Sequence, residues 1–235
     1  MPTPNRTEEY PVARFRQTAI VGTAALAVLA AGVAPAYAAG TTIRKGSATA
    51  DPYSGNVQAS LLGTATVSTS IGSGSCSQST MTGSVNSDGS GLAISSAGFS
   101  GDNGGPCSGT TSSTIETLNL PWTGGNVTYD AGHTGGRDAT ITISNFSVRA
   151  TVDLFGGITC QYGGTLTANG YNGDNASRPN TGSSEAQVGV QNAQVRKTGG
   201  SFLCPGTATV SATYALKGES SAGSGTYDQS LYVTS

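Results

Sequence analysis

Charge is scarce in this chain. Only 10% of its 235 residues are Asp, Glu, Lys or Arg, against roughly 25% in an ordinary soluble domain. Eleven Lys and Arg stand against thirteen Asp and Glu, so there is no basic stripe and nucleic acid is not an expected partner. Aromatics make up 6%, with a single Trp, which leaves little equipment for stacking on sugars. A single His confines imidazole acid–base chemistry to one place. Heptads and long Ala/Glu/Lys/Leu helix patterns are missing too, which argues against coiled coils and helical bundles. What the chain has instead is 35 Gly and a large excess of Ser and Thr. Hydroxyls and backbone must therefore do the wetting that charges usually do.

Residues 1–38 read as a secretory signal peptide. Arg6, Arg14 and Arg16 make a basic start, diluted by Glu8 and Glu9, and Thr18–Val33 is an uncharged run rich in Ala, Leu and Val. The run ends in Ala34-Pro35-Ala36-Tyr37-Ala38, whose small residues at Ala36 and Ala38 suit signal-peptidase cleavage. The mature chain is then expected to start at Ala39, outside the cytoplasm, secreted or associated with the envelope. No Cys adjoins the cleavage point and no second apolar span follows, so neither a lipid anchor nor a membrane span is expected in the mature protein. All four Cys (Cys76, Cys107, Cys160 and Cys204) lie beyond it. An even count in an exported chain points to two disulfides. Zinc would want short Cys-x-x-Cys or His pairs, and no such spacing occurs.

The rest alternates with period two, the signature of half-buried strands. Leu118, Leu120 and Trp122 share a face, as do Ile141 and Ile143, then Phe146, Val148, Ala150, Val152 and Leu154, then Ala208, Val210, Ala212, Tyr214 and Leu216. Thr, frequent between them, suits the solvent face. Clusters at Ser87–Gly91, Gly101–Gly105, Asn169–Asp174 and Gly223–Gly225 are turn signals, because Gly, Asn and Asp tolerate positive φ. The expected fold class is all-β, an antiparallel β-sandwich or closed barrel.

The strands also repeat. Ala65-Thr66-Val67 precedes Cys76 as Ala150-Thr151-Val152 precedes Cys160, and Leu92–Phe99 matches Val188–Val195. Both of the latter change phase after the fifth residue, which marks a β-bulge. Gly104–Thr110 echoes Gly199–Thr207 around the second Cys of each half. Four Cys allow three pairings. Only Cys76–Cys107 with Cys160–Cys204 gives each half the same bridge. Residues 39–235 are thus expected to form one pseudo-symmetric β domain, with halves of about 39–125 and 126–235 packed together so that each covers the other's apolar face.

The stretches Thr159–Tyr162, Gly200–Tyr214 and Leu231-Tyr232-Val233 resemble a loose group of exported β-proteins from actinomycetes. The resemblance covers mainly the second half. It implies an extracellular location and carries no catalytic residue. Composition alone is also similar to neocarzinostatin-type apoproteins, which are shorter and have shorter disulfide loops.

Candidate chemistry centres on His133, with Asp130 or Asp138 to orient it and a Ser as nucleophile. The plainer reading is a polar turn residue, since no Gly-x-Ser-x-Gly elbow is present. Glu116 and Asp153 are expected to point to water. The Asp- and Asn-rich turns do not follow the twelve-residue Ca²⁺ loop, and no metal or cofactor is called for. Trp122 is expected in the core, and Tyr171, in a Gly/Asn loop, is expected exposed. The leading expectation is a non-catalytic exported β-protein with a binding or structural role, its partner open between a cell-wall component and a small ligand. The alternatives are a small-molecule-carrying apoprotein, which an apolar pocket between the halves would favour, a hydrolase centred on His133, and a protease inhibitor using the Gly101–Gly105 loop.

Overall fold

A computed structural model describes residues 40–153 and 156–235. The proposed signal peptide therefore lies outside the described residues, as does Leu154. Fourteen strands follow one another: β1 (Thr42–Lys45), β2 (Gly55–Leu61), β3 (Ala65–Thr69), β4 (Gly72–Cys76), β5 (Gln78–Val85), β6 (Leu92–Ser100), β7 (Ser108–Gly109), β8 (Ser113–Thr117), β9 (Trp122–Tyr129), β10 (Ala139–Val152), β11 (Ile158–Tyr171), β12 (Ala186–Gly200), β13 (Thr207–Glu219) and β14 (Tyr227–Thr234). Every pairing is antiparallel.

The sheet closes on itself as a barrel of eight strands, β2-β5-β6-β9-β10-β11-β12-β13, with β13 returning to β2. The shorter strands extend this ring. β3 continues β2 along β13, where Val57–Leu61 pair with Gly218–Tyr214 and Thr66–Ser68 with Ser211–Thr209. β4 continues β5 against β3 and β2. β8 and β9 lie end to end along β10. Around the ring, each of these eight strands lies beside the previous one in chain order, an up-and-down meander, while β1 pairs with β14 and β7 with β4. Of the two geometries that alternation allows, the barrel forms because both joins between the halves are paired, β9 with β10 and β13 with β2 and β3.

The period-two pattern maps onto inside and outside. On β10, Ile141, Phe146 and Val148 are buried, while Thr142, Ser147 and Arg149 on the other face are partly exposed. Apolar inside and hydroxyl outside is the inverse of a membrane-spanning barrel. Among the described residues no helix is long and apolar enough to cross a membrane.

Both expected phase changes are bulges. Ser95 is the extra residue of β6 against β5, and Gln191-Asn192 face one residue of β13, Ser211. A third bulge, at Ser144-Asn145 of β10, has no counterpart in the sequence reading. At the first, Gly83 of β5 must lack a side chain, because a Cβ there would overlap the Ala93 carbonyl.

Two sequence expectations are corrected. Leu118, Leu120 and Trp122 do not share one strand. β8 ends at Thr117 and β9 begins at Trp122, with Asn119 at φ 57° and a cis Leu120–Pro121 peptide between them. The Trp122 indole closes this excursion by donating to the Leu118 carbonyl at 2.8 Å, with its ring 4.9 Å from that of Phe146. Trp122 is nonetheless buried, as its face predicted. Second, Asn169–Tyr171 is not turn but the end of β11, paired with Gly189, Val188 and Gln187 of β12. The segment after it, 172–185, folds back and covers that end.

One end of the barrel has a floor. β1 pairs with β14, and this ribbon is fastened to separate points of the rim. Ile43 N–H donates to Ser87 O, the Thr41 hydroxyl accepts from Tyr129 N–H, and Asn172 bonds both the N–H and the carbonyl of Val233. Ile43 and Leu231 of the ribbon are buried in the core.

The disulfides are Cys76–Cys107 and Cys160–Cys204, one in each half, closing spans of 31 and 44 residues. In the chain-entropy picture each stabilises the barrel by about 4 kcal/mol. Replacing both cysteines of one pair by Ala should lower Tm by on the order of 10 °C. Calorimetry on the double variant checks this, and an unchanged Tm would show the bridge to be dispensable.

Candidate functional site

The four residues singled out for chemistry separate into two places. Asp130, His133 and Asp138 meet in the turn between β9 and β10. Asp130 gathers the turn: its carboxylate accepts from Gly132 N–H (3.1 Å), Thr134 N–H (3.2 Å) and Arg137 Nε (2.7 Å). Partial desolvation opposes its charge, but the hydrogen bonds from Arg137, Thr134 and Gly132 prevail and hold its pKa below the ordinary value. His133, at φ 46°, sets its ring edge-on to Tyr129 and places Nδ1 3.2 Å from Asp138 Oδ1.

Asp138 is the buried member. Its other oxygen accepts from the Asn172 N–H and from the Asn175 side-chain amide, each at 2.7 Å. The carboxylate therefore ties the β9–β10 turn to the segment after β11. His133 is half exposed, and no serine hydroxyl is bonded to it among the described residues. The geometry matches a clasp between two loops, with the imidazole at its edge. Nor do the described residues gather three or more His, Cys, Asp or Glu side chains able to hold a metal ion.

Tyr171 does not sit in an exposed loop. It is 5% exposed, at the end of β11, against Gly189. The Asn-Gly-Tyr-Asn-Gly string reads as a turn locally, but Tyr171 pairs with Gln187 of β12 and borders the barrel interior. Glu116 points outward as expected and pairs with Arg149 at 2.8 Å, and Asp153, just past β10, is exposed.

The feature that sequence reasoning did not locate is inside the barrel. A cavity of about 300 Å³ runs from the floor toward the opposite end. Its lining comes from both halves and is nearly all apolar, with Leu92, Trp122, Ile141, Leu166, Val188 and Val210 among it. Tyr171 and Asn172 border its base, and at the other end the lining reaches the exposed residues Ile71, Ser73 and Thr110. Among the described residues no charged side chain lines it. Two of the inward tyrosines are paired with protein: Tyr162 donates to Pro205 O at 3.1 Å, and Tyr214 shares a 3.2 Å bond with Ser79. Burial pushes the Tyr214 pKa up to about 12, so it stays neutral. The large hydrophobics exposed among the described residues are Ile71, Phe202 and Leu203. They sit in the β3–β4 and β12–β13 turns, at the end opposite the floor.

Below the floor, Glu219 stabilises the β13–β14 turn. Its carboxylate accepts from Gly225 N–H (2.6 Å), Gly223 N–H (3.0 Å) and Asn56 Nδ2 (3.0 Å). The Gly225 and Gly223 bonds lead in holding its pKa below the ordinary value.

Comparison of the chain with protein-family models, with curated proteins and with solved structures finds no match.

Two expectations follow. Asp138→Ala leaves the buried Asn172 N–H without its acceptor and the Asn175 amide with only the Gly136 carbonyl, a loss of about 1–3 kcal/mol, whereas His133→Ala should shift Tm by under about 2 °C. A thermal-melt comparison of the two decides between clasp and imidazole-centred site. The second concerns acid. A carboxylate with a lowered folded pKa contributes stability that is present above its ordinary value and is lost as pH falls through the folded one. Tm should therefore hold from neutral pH down to the ordinary carboxyl range and drop below it. Glu219→Gln should start lower and drop less, and a profile parallel to the native protein's would refute the role given to Glu219.

Proposed function

We propose that the protein is an exported, non-catalytic binding protein that carries a small apolar molecule inside its barrel. The observation that supports this reading is the uncharged cavity enclosed by both halves of the chain. An eight-stranded barrel has an interior that side chains can just fill or that holds one small ligand. Here the inward residues are small at many positions, among them Ala59, Ala139, Ala168, Ala208 and Ala212, and a space of about 300 Å³ remains. That lies at the lower end of the range for small-molecule pockets.

Energetics point the same way. An apolar space of this size leaves its lining short of packing contacts when empty. The two disulfides, at about 4 kcal/mol each, supply stability that the loosely filled interior does not. A sequence selected only for stability would fill the space with larger side chains. A ligand in the cavity would restore the lost contacts.

The setting also belongs to this reading. The two bridges suit an oxidising compartment, residues 1–38 carry the features of a signal peptide, and the matching bulges and bridges of the two halves fit a duplicated four-strand unit. A carrier outside the cell needs no charged active site, which agrees with the sparse charge.

Organic extraction of protein purified from culture medium, followed by mass spectrometry, should yield an apolar compound near one per chain. Ala212→Phe, or Ala59→Phe if the first folds poorly, should raise the Tm of the extracted protein by a few degrees by filling the void, and abolish retention of that compound. A lowered Tm in both, as in an already filled core, would sink the proposal.

A further inference from the structure

We infer that the molecule held in the barrel is uncharged and hydrocarbon-rich, with ionised head groups excluded from the cavity. This deepens the carrier reading and rests on it. The interior offers nothing to a charge. Among the described residues its lining contains no Asp, Glu, Lys, Arg or His. The nearby charges are committed elsewhere, as Glu116 and Arg149 are to each other on the outer face of β8 and β10.

The neutral polar groups within are largely occupied. Tyr162 and Tyr214 bond Pro205 and Ser79. Gln187 makes both its bonds to Asn180, accepting from the N–H at 2.9 Å and donating to the carbonyl at 2.6 Å. Trp122 donates to Leu118. Toward the exposed end, the Thr69 hydroxyl donates to Gly72 O and that of Thr110 accepts from Ser73 N–H. The hydroxyls of Ser113 and Tyr171, both in buried residues of the lining, have no partner among the described residues. Such isolated hydroxyls can satisfy a neutral head such as an alcohol or a carbonyl. A carboxylate or an ammonium there would lack the several hydrogen bonds and the countercharge that a buried ion requires.

Size narrows the class further. A void of about 300 Å³ holds the volume of about ten water-sized groups. A chain or small ring system of that many heavy atoms fits, and a full-length phospholipid does not.

Trp122 provides the readout, since it is the chain's one tryptophan and lines the cavity. The extracted full-length protein is titrated at pH 7 with 1-decanol, decanoate and decylammonium, three probes of one chain length, while Trp122 fluorescence is followed. The expected result is saturable binding of decanol and at least about tenfold weaker binding of both ions. Ala212→Phe should remove the decanol response, which ties it to the cavity. Ions that match decanol would overturn the selectivity inference and leave the carrier reading standing. A decanol response that survives Ala212→Phe and Ala59→Phe alike would place binding elsewhere and overturn it too. No response to any of the three probes would remove both.

Discussion

Closure of the hydrogen-bond ring is the constraint on which the rest depends. A strand edge left open is a row of unpaired N–H and C=O groups. This chain removes its main edges by returning β13 to β2 and β3. Once the ring is shut, the alternation of each strand has only one meaning, inside or outside. The scarcity of charge then has an explanation, because Thr and Ser on the outer face of a closed ladder can bond water while the backbone is already paired.

Closure also fixes what the interior must be. Eight strands set the radius, and side chains either reach across it or leave space. Here Trp122 and Phe146 pack against each other in the wall, and with the alanines and valines around them they line the space that remains. The bridges sit where they can offset the resulting loss of contacts, each tying the second strand of its half to the corner after the third. Hollow interior and doubled disulfide are two sides of one balance.

Much of this was legible in the chain. The strands, the hairpin turns at Ser87–Gly91 and Gly223–Gly225, the disulfide pairing and two of the bulges follow from period-two patterning and from matching segments. These are local signals whose physics acts within a few residues. The hollow interior was not legible, because a Val or Ala facing a void and one facing a neighbour look identical in sequence. Tyr171 was misread for a related reason. Its Asn and Gly neighbours say turn, but pairing with β12 sets it in the barrel wall, where it borders the interior. Asp138 looked like any turn carboxylate, and its role depends on Asn172 and Asn175 arriving from the end of the neighbouring strand β11. The Asn-rich composition of that second segment was the one available hint.

The floor of the barrel has a consequence in time. β1 pairs residue by residue with the end of β14, Thr42 against Thr234 and Lys45 against Leu231. Almost the whole described chain separates the two partners, so the contact has the longest loop to close in the molecule. A chain made from its N-terminus presents β1 first and holds it without its β14 partner until the last strand is made. The base of the cup is thus the last part that can be sealed, and apolar surface inside stays open to the surroundings until synthesis is done.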